Sequence, residues 1–337
     1  MLERGPLSTW QRRLADELDD DGVEIPGDPM FQRLVLEELD HCRRTPVFEG
    51  RRPTYGAMIV PAAGPRVERQ ALLDHIDFDV VELDGEPATA RTYADGRSSY
   101  LVRNVDGRVA LACFARAMLF EADLVHLQEL TGAAIVQRTP VLDVIRLAVD
   151  GCIITWDGRN WQARPTAASL VDELVTKAPE LGARLAGDVL ELAIHWLAPS
   201  RVGATLVLSH GEIEYMALDT STAARTPALS LTNRRHFSAL VAVLRQHDLA
   251  VVVDADGAIR KVAVGLRWSE EAEEAVDNHR GMRHRSAQRY SYDQPRATVV
   301  VVSEDGPVTV YRRGEIVVTT GAASTGAPTS WPLGATS

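Results

Sequence analysis

The sequence predicts an α/β protein of two domains, and three observations carry that reading. Short apolar runs with strand character, YGAMIVP (55–61), GATLVLS (203–209) and ATVVVV (297–302), alternate along the chain with amphipathic stretches of helical period. Asp-Gly pairs at 95–96, 106–107, 157–158 and 256–257 interrupt strand runs where tight hairpins turn. The 337 residues make about two ordinary domains, and the pattern changes around Pro165.

The elements follow in order. LSTWQRRLADEL and DPMFQRLVLEELDHC space their apolar residues helically, the second behind an Asp cap and a proline, with turn residues at 19–22 and 26–28. These two helices fill 1–45. An α/β region over 46–164 opens with the buried strand 55–61 and a helix at GPRVERQALLDHI. ARTYADGRSSYLVRNVDGRVALACFA reads as strand runs broken by hairpins at Asp95-Gly96 and Asp106-Gly107. LFEADLVHLQELTG reads as a helix ending at Gly132, and GCIITWDGRNWQARP as a hairpin. The region 165–320 begins with amphipathic helices at 166–178 and 183–197, then the strand 203–209. A helix over 236–247 follows, with Thr232 or Asn233 as its cap. AVVVDADGAIRKVAVGL reads as strand, turn, strand; SEEAEEAVDNH and RHRSAQRY as helices; ATVVVVSEDGPVTVYRRGEIVV as a final hairpin. The small, polar stretch 321–337 reads as a loose tail.

Composition excludes several classes. An apolar fraction of 45% and a charged fraction of 25% exclude wholesale disorder. With 36 basic and 47 acidic residues the net charge is −11, which argues against a broad basic face for nucleic acid. Lys177 and Lys261 are the only lysines. The arginine excess suits phosphate recognition, and a compositional bias of the genome explains it equally well. Cys42, Cys113 and Cys152 form no CxxC pair, which fits a reducing compartment and offers no zinc site. No apolar signal core opens the chain, and the apolar run 299–302 is far below the ~18 residues of a membrane span. The expectation is a cytoplasmic protein with neither membrane nor nucleic-acid partner.

The chemistry concentrates in HRGMRHRSAQR, 279–289, with six basic side chains in eleven positions. A helix starting near Arg283 would offer free N–H groups and a favourable dipole to an anion, and its arginine forks would clamp phosphate oxygens. Gly281 would let backbone approach the ligand. The bland alternative is a solvated patch paired with Glu270, Glu271, Glu273 and Glu274. The company of this segment favours the first reading. Strand GATLVLS, a helix, QHDLAVVVD, GMRHRSAQ and ATVVVVSEDGPVTVY stand in an order that resembles the diadenylate cyclase domain of DisA and its relatives. That family carries Asp-Gly-Ala, Gly-Thr-Arg-His-Arg and Ser-Glu motifs. Gly281-Met282-Arg283-His284-Arg285 matches the second in four of five places, and Ser303-Glu304 matches the third. The resemblance covers roughly 165–318.

The literal Asp256-Gly257-Ala258 reads as a hairpin turn. The family's first motif opens a strand directly after a helix, and that place here holds Asp248-Leu249-Ala250, with Ala250 31 positions before Gly281. The resemblance implies a central mixed sheet flanked by helices, preceded by a smaller α/β domain with a sensing or assembly role. It implies condensation of two ATP into cyclic di-AMP across two facing protomers, each supplying half a site, so that a homodimer or higher homo-oligomer is needed. Asp248 would hold Mg²⁺ or Mn²⁺ beside the 3′-oxygen. Arg283, His284 and Arg285 would hold the triphosphate. Ser303 would donate to a phosphate oxygen, and Glu304 would orient or ligate. Gly203 and Ala204 would let adenine pack closely, and Leu249, Ala250, Gly281 and Met282 complete the nucleotide site. Met282 replaces the family threonine and Leu249 the family glycine. An isobutyl group at 249 either obstructs the site or turns harmlessly into the core. A domain that binds ATP or cyclic di-AMP without turnover therefore remains an alternative, as does a nucleotidyltransferase with a different product.

Other candidates have plainer readings. Arg234-Arg235-His236 opens a helix, 19–21 is a turn, Trp156 and Trp161 flank a hairpin, and His195 sits on an apolar helix.

Overall fold

The computed structural model describes residues 7–47, 49–50, 52–62, 76–83, 86–139, 144–209, 217–223, 226–276, 281–304 and 306–321. The chain divides into two compact units, Met1–Leu170 and Val171–Ser337. Each is built on one mixed sheet with helices against it, so the α/β class holds in both.

In the first unit, α1 (Thr9–Asp20) starts with a reciprocal cap between Ser8 and Gln11. In α2 (Pro29–Arg44) the Asp28 carboxylate accepts from the N–H groups of Met30 and Phe31, and proline occupies the first turn, where no N–H is needed. Eight strands follow: β1 (Tyr55–Val60), β2 (Phe78–Glu82), β3 (Ser99–Asn104), β4 (Val109–Phe114), β5 (Ala134–Arg138), β6 (Ile145–Val149), β7 (Cys152–Trp156) and β8 (Trp161–Pro165). Their order is β2-β4-β3-β1-β5-β6-β7-β8, and only β1 and β3 run parallel. The period-two alternation of a strand sorts β1 between two cores. Ala57 and Ile59 pack with Leu34 and Leu39 of α2, while Met58 and Val60 pack with Leu124 and Leu127 of α4 (Glu121–Thr131). Gly132 ends α4 at φ +61°, where a glycine is favoured.

The hairpins at Asp106-Gly107 and Asp157-Gly158 join β3 to β4 and β7 to β8. Asp95-Gly96 does not turn a hairpin. A short helix, α3 (Pro87–Arg91), precedes it, and the Asp95 carboxylate caps a loop by accepting from the N–H groups of Arg97, Ser98 and Ser99 at 2.7, 2.8 and 2.9 Å. Gly96, at φ +65°, lies against the Tyr55 backbone, and a Cβ there would meet the Tyr55 carbonyl oxygen at 2.1 Å. The helix expected at 64–76 lies, apart from Ile76, outside the described residues.

The second unit follows α5 (Ala167–Lys177) with α6 (Gly182–Glu191), which continues as a π-helical turn over Leu192–Leu197. Its sheet comprises β9 (Ala204–Ser209), β10 (Leu218–Asp219), β11 (Ala250–Val253), β12 (Ile259–Leu266), β13 (Ala297–Val302), β14 (Val308–Arg312) and β15 (Glu315–Thr319). The order is β10-β12-β11-β9-β13-β14-β15, with β9 and β11 the parallel pair. A 3₁₀ turn capped by Asn233 leads into α7 (Phe237–Leu244), and α8 (Glu270–Ala275) and α9 (Met282–Asp293) precede β13. The expected final hairpin is a three-strand meander. Arg313 and Gly314, at φ +51° and +78°, form a second two-residue turn between β14 and β15. Most of the tail, 322–337, lies outside the described residues. No helix among the described residues is long and apolar enough to cross a membrane.

The sheet positions one end of this unit for chemistry. The parallel strands β9 and β11 begin at the same end, and antiparallel β13 finishes there, with Ala204 opposite Val302. Val207, Val252, Val299, Val301 and Tyr311 form a core with Ala287 and Tyr290 of α9. Because α9 turns back into β13 within three residues, its first turn lies over that same end.

Candidate functional site

Three loops and a helix start meet at this end of the sheet. Asp248 and Leu249 directly precede β11, Gly203 directly precedes β9, Ser303 and Glu304 directly follow β13, and Arg283 and His284 occupy the first turn of α9. Gly281 caps α9 without any side-chain hydrogen bond to the helix, so the first-turn N–H groups keep their donor capacity toward solvent or ligand. Among the described residues, a Cβ at Gly281 would meet nothing within 4 Å.

Arg283 links the three loops. Its Nε donates to Asp248 Oδ1 at 2.7 Å, and its Nη2 donates to the same oxygen. Nη1 and Nη2 both donate to Glu304 Oε1 at 3.1 Å. Burial pulls the guanidinium's pKa down, but the bonds and charges of Asp248 and Glu304 outweigh burial and hold it above its ordinary value. The group is a permanent cation between two carboxylates that are 77% and 66% exposed. It also lies flat against Gly203. A Cβ at that glycine would stand 2.0 Å from Nη1 and 2.6 Å from Cζ. The space sequence reasoning gives to adenine at Gly203 is occupied by the Arg283 guanidinium.

His284 is held on both ring nitrogens, by the Tyr311 hydroxyl at Nδ1 and by Ser303 Oγ at Nε2, each 2.9 Å away. Ser303 is fixed in turn by the β13–β14 turn, where its N–H donates to the Pro307 carbonyl at 2.9 Å. Arg285 is half-buried, and its Nε is buried with no acceptor among the described residues. A buried donor of that kind is costly without a partner, so a ligand oxygen or water suits it. Ala204 and Ala250 are buried strand starts, paired opposite Val302 and Val264. Leu249 is 39% exposed and Met282 75% exposed, so neither side chain turns into the core. His279 and Arg280, counted in the basic cluster, lie outside the described residues.

Asp256 lies at the opposite end of β11 from Asp248, in the turn into β12. There the Asp254 carboxylate accepts from the N–H groups of Asp256 and Ala258 at 3.0 and 2.8 Å, and Gly257 adopts φ +79°. The structure thus brings Asp248, Arg283, His284, Ser303, Glu304 and Gly203 together and leaves Asp256 out. Among the described residues no group of three or more His, Cys, Asp or Glu side chains is arranged to hold a metal ion. Among the described residues of this site, the exposed carboxylates of Asp248 and Glu304 are the side chains that could serve a divalent cation. One or two carboxylates, with phosphate oxygens and waters completing the shell, suit Mg²⁺ or Mn²⁺. The residue that sequence reasoning misses is Tyr311. It is one more buried aromatic in a strand, and no sequence signal separates it from core.

The other candidates have structural partners. Arg234 pairs with Glu191, and His236 Nδ1 accepts from the Ser230 N–H at 3.0 Å. Asp21 accepts from the Trp161 N–H at 2.8 Å. The Trp156 and Trp161 rings pack 5.3 Å apart, with Arg43 over Trp156, and His195 is buried in the π-helical turn.

Residues 12–164 match the family described as "Probable sensor domain DACNK", and residues 191–316 match "DisA bacterial checkpoint controller nucleotide-binding". Among the solved structures similar to parts of the chain are the following two. One is a hypothetical membrane spanning protein from Bacillus cereus, with 25% identity over 37% of this chain and 58% of that one at a TM-score of 0.30. The other is a double mutant of DacA from Staphylococcus aureus, with 20% identity over 46% of this chain and 87% of that one at a TM-score of 0.28. The chain spans less than two thirds of the length of the first. No curated protein matches it.

Proposed function

We propose, from the premise that residues 191–316 belong to the DisA nucleotide-binding (diadenylate cyclase) family and follow a sensor-type domain, that the chain is a diadenylate cyclase. The single observation that best supports this is the convergence of Asp248, Arg283, His284, Ser303 and Glu304 at one end of the sheet. Two ATP molecules are condensed to cyclic di-AMP. Each 3′-oxygen forms a bond to the α-phosphorus of the other nucleotide, the bond from that phosphorus to pyrophosphate breaks, and each 3′-hydroxyl gives its proton, by way of the Asp248 carboxylate, to water. Two half-sites must face each other, so the active species is a homodimer or larger, and a lone protomer is inactive. ATP as substrate argues for the cytoplasm.

The chain's own groups would do the following. Arg283 moves from its carboxylate pairs to the triphosphate, where its planar fork binds oxygens and offsets charge on the leaving pyrophosphate. Arg285 finds at the phosphates the acceptor its Nε lacks. Asp248, relieved of Arg283, accepts from the 3′-hydroxyl and orients it toward the opposing α-phosphate. Ser303 donates to a phosphate oxygen, and Gly281 lets the first-turn N–H groups of α9 reach the anion. Asp248, with Glu304 beside it, would hold Mg²⁺ or Mn²⁺, which when bound would supply charge neutralisation and lower the 3′-hydroxyl pKa.

Leu249 favours a second reading. Its side chain is 39% exposed, beside Asp248 in the chain and where the family has glycine, so an isobutyl group stands out of the core next to the carboxylate. That supports a domain that binds ATP or cyclic di-AMP without turnover. Incubation of the purified chain with ATP and either metal, with products separated and weighed by mass spectrometry, decides between the two. Cyclic di-AMP supports the cyclase. Unconsumed ATP that still binds in a calorimeter supports the sensor.

A further inference from the structure

The imidazole of His284 is bracketed by two hydroxyls, and only one of them faces the site. Tyr311 is wholly buried on β14, opposite Val299 of β13, within the core beneath α9. Its ring meets the imidazole edge-on, with centroids 5.9 Å apart and planes 71° apart. A phenylalanine would fill that core equally well. Burying the hydroxyl is unfavourable unless it is hydrogen-bonded, and His284 Nδ1 at 2.9 Å supplies a partner. Ser303, half-buried, sits on the other nitrogen at the edge where β13 ends.

We propose that Tyr311 is a positioning residue for the nucleotide site, acting through His284 to aim the Ser303 hydroxyl. A neutral imidazole has one donor and one acceptor nitrogen, and a serine hydroxyl has a single hydrogen. If Ser303 is to donate to a phosphate, that hydrogen must be free, so Oγ must accept from Nε2–H. Nδ1 is then the acceptor, and Tyr311 O–H donates to it. Burial keeps water from competing for the phenol and strengthens each link of the chain. The chain Tyr311 O–H to Nδ1, Nε2–H to Ser303 Oγ, leaves the serine hydrogen pointing outward. The phosphate at its end rests on the cyclase reading, whereas the imidazole tautomer does not.

The test uses the full chain, labelled with ¹⁵N at histidine, at pH 8, with the His284 signals assigned by His284→Gln. The wild type is expected to show a protonated Nε2 and an unprotonated Nδ1. Tyr311→Phe keeps the ring and is expected to yield a mixture of tautomers. In ATP turnover it is expected to lower kcat about tenfold with KM within about twofold, the loss of one hydrogen bond felt in the transition state. In a Ser303→Ala background, where the chain has no end, the same change is expected to alter kcat by less than about twofold. A wild-type Nδ1–H tautomer or an imidazolium overturns the proposal without any variant. So does a Tyr311→Phe spectrum like that of the wild type, or a full additional loss in the Ser303→Ala background. If the wild type consumes no ATP, the cyclase reading fails separately, and the imidazole spectrum alone upholds or overturns the tautomer.

Discussion

Gly203→Ala separates the part Arg283 plays in the fold from the part it plays at the site. Gly203 does not need positive φ, so alanine's backbone is accommodated. The added methyl stands 2.0 Å from Arg283 Nη1 and 2.6 Å from Cζ. Ordinary contact begins near 3.5 Å, so the guanidinium must retreat by about 1.5 Å. That motion breaks its alignment on both Asp248 and Glu304. The pairs are exposed on their carboxylate sides, at 77% and 66%, and exposed ion pairs contribute little. The fold loses about 1 kcal/mol, and Tm falls by about 3 °C for a unit of this size. Nucleotide binding is expected to lose more if Arg283 is a phosphate ligand. A displaced charge-assisted fork on phosphate removes about 1.5–3 kcal/mol, which weakens Kd by about 10- to 150-fold. Calorimetric titration with a non-hydrolysable ATP analogue, beside a thermal melt, reads both quantities. An unchanged Kd would refute Arg283 as a phosphate ligand. A fall in Tm above about 10 °C would show instead that Gly203 serves the fold.

Two further substitutions probe Leu249 and the buried ion cluster of the first unit. Leu249→Gly removes a side chain that is 39% exposed, so its stability change stays within about 1 kcal/mol of backbone entropy. If Leu249 hinders the nucleotide, turnover should rise; a fall in turnover with unchanged stability would contradict that reading. In the first unit Glu38 is fully buried and accepts from Arg91, Arg103 and Tyr55. Burial alone would raise its pKa, but those partners together hold it below the usual carboxylate value. Its contribution is therefore complete above the unfolded carboxylate pKa and is lost as pH falls through the lowered folded value. Glu38→Ala removes the carboxylate that pairs with Arg91 and one of the two that pair with buried Arg103, and is expected to lose about 3 kcal/mol in urea unfolding at neutral pH. The gap should shrink in acid, and a gap independent of pH would exclude the ion cluster as its origin.

The sequence is most legible where local chemistry and tertiary packing agree. Asp28 and Gly132 mark helix ends because caps satisfy backbone groups within a few residues. The strand run expected just before Asp95 rests on Thr92 and Tyr93, which have strand propensity. The structure instead ends α3 there and lets Asp95 gather three backbone N–H groups. The π-helical turn is hidden because LAIHWL is apolar nearly all round and carries no period to read. At the site, Asp248 and Asp256 can be told apart by their positions at the start and end of a strand. The Arg283–Gly203 contact is not readable, because it joins residues far apart in the chain through the placing of the start of α9 over β9.

The most direct measurement of the central claim compares wild type, Asp248→Asn and Asp256→Asn in the ATP assay with Mn²⁺ or Mg²⁺. Both substitutions preserve shape, and exposed carboxylates tolerate them with little change in stability. Cyclic di-AMP is expected from the wild type and from Asp256→Asn, with turnover lost in Asp248→Asn. Product from Asp248→Asn at the wild-type rate, or its loss in Asp256→Asn alone, would contradict that claim.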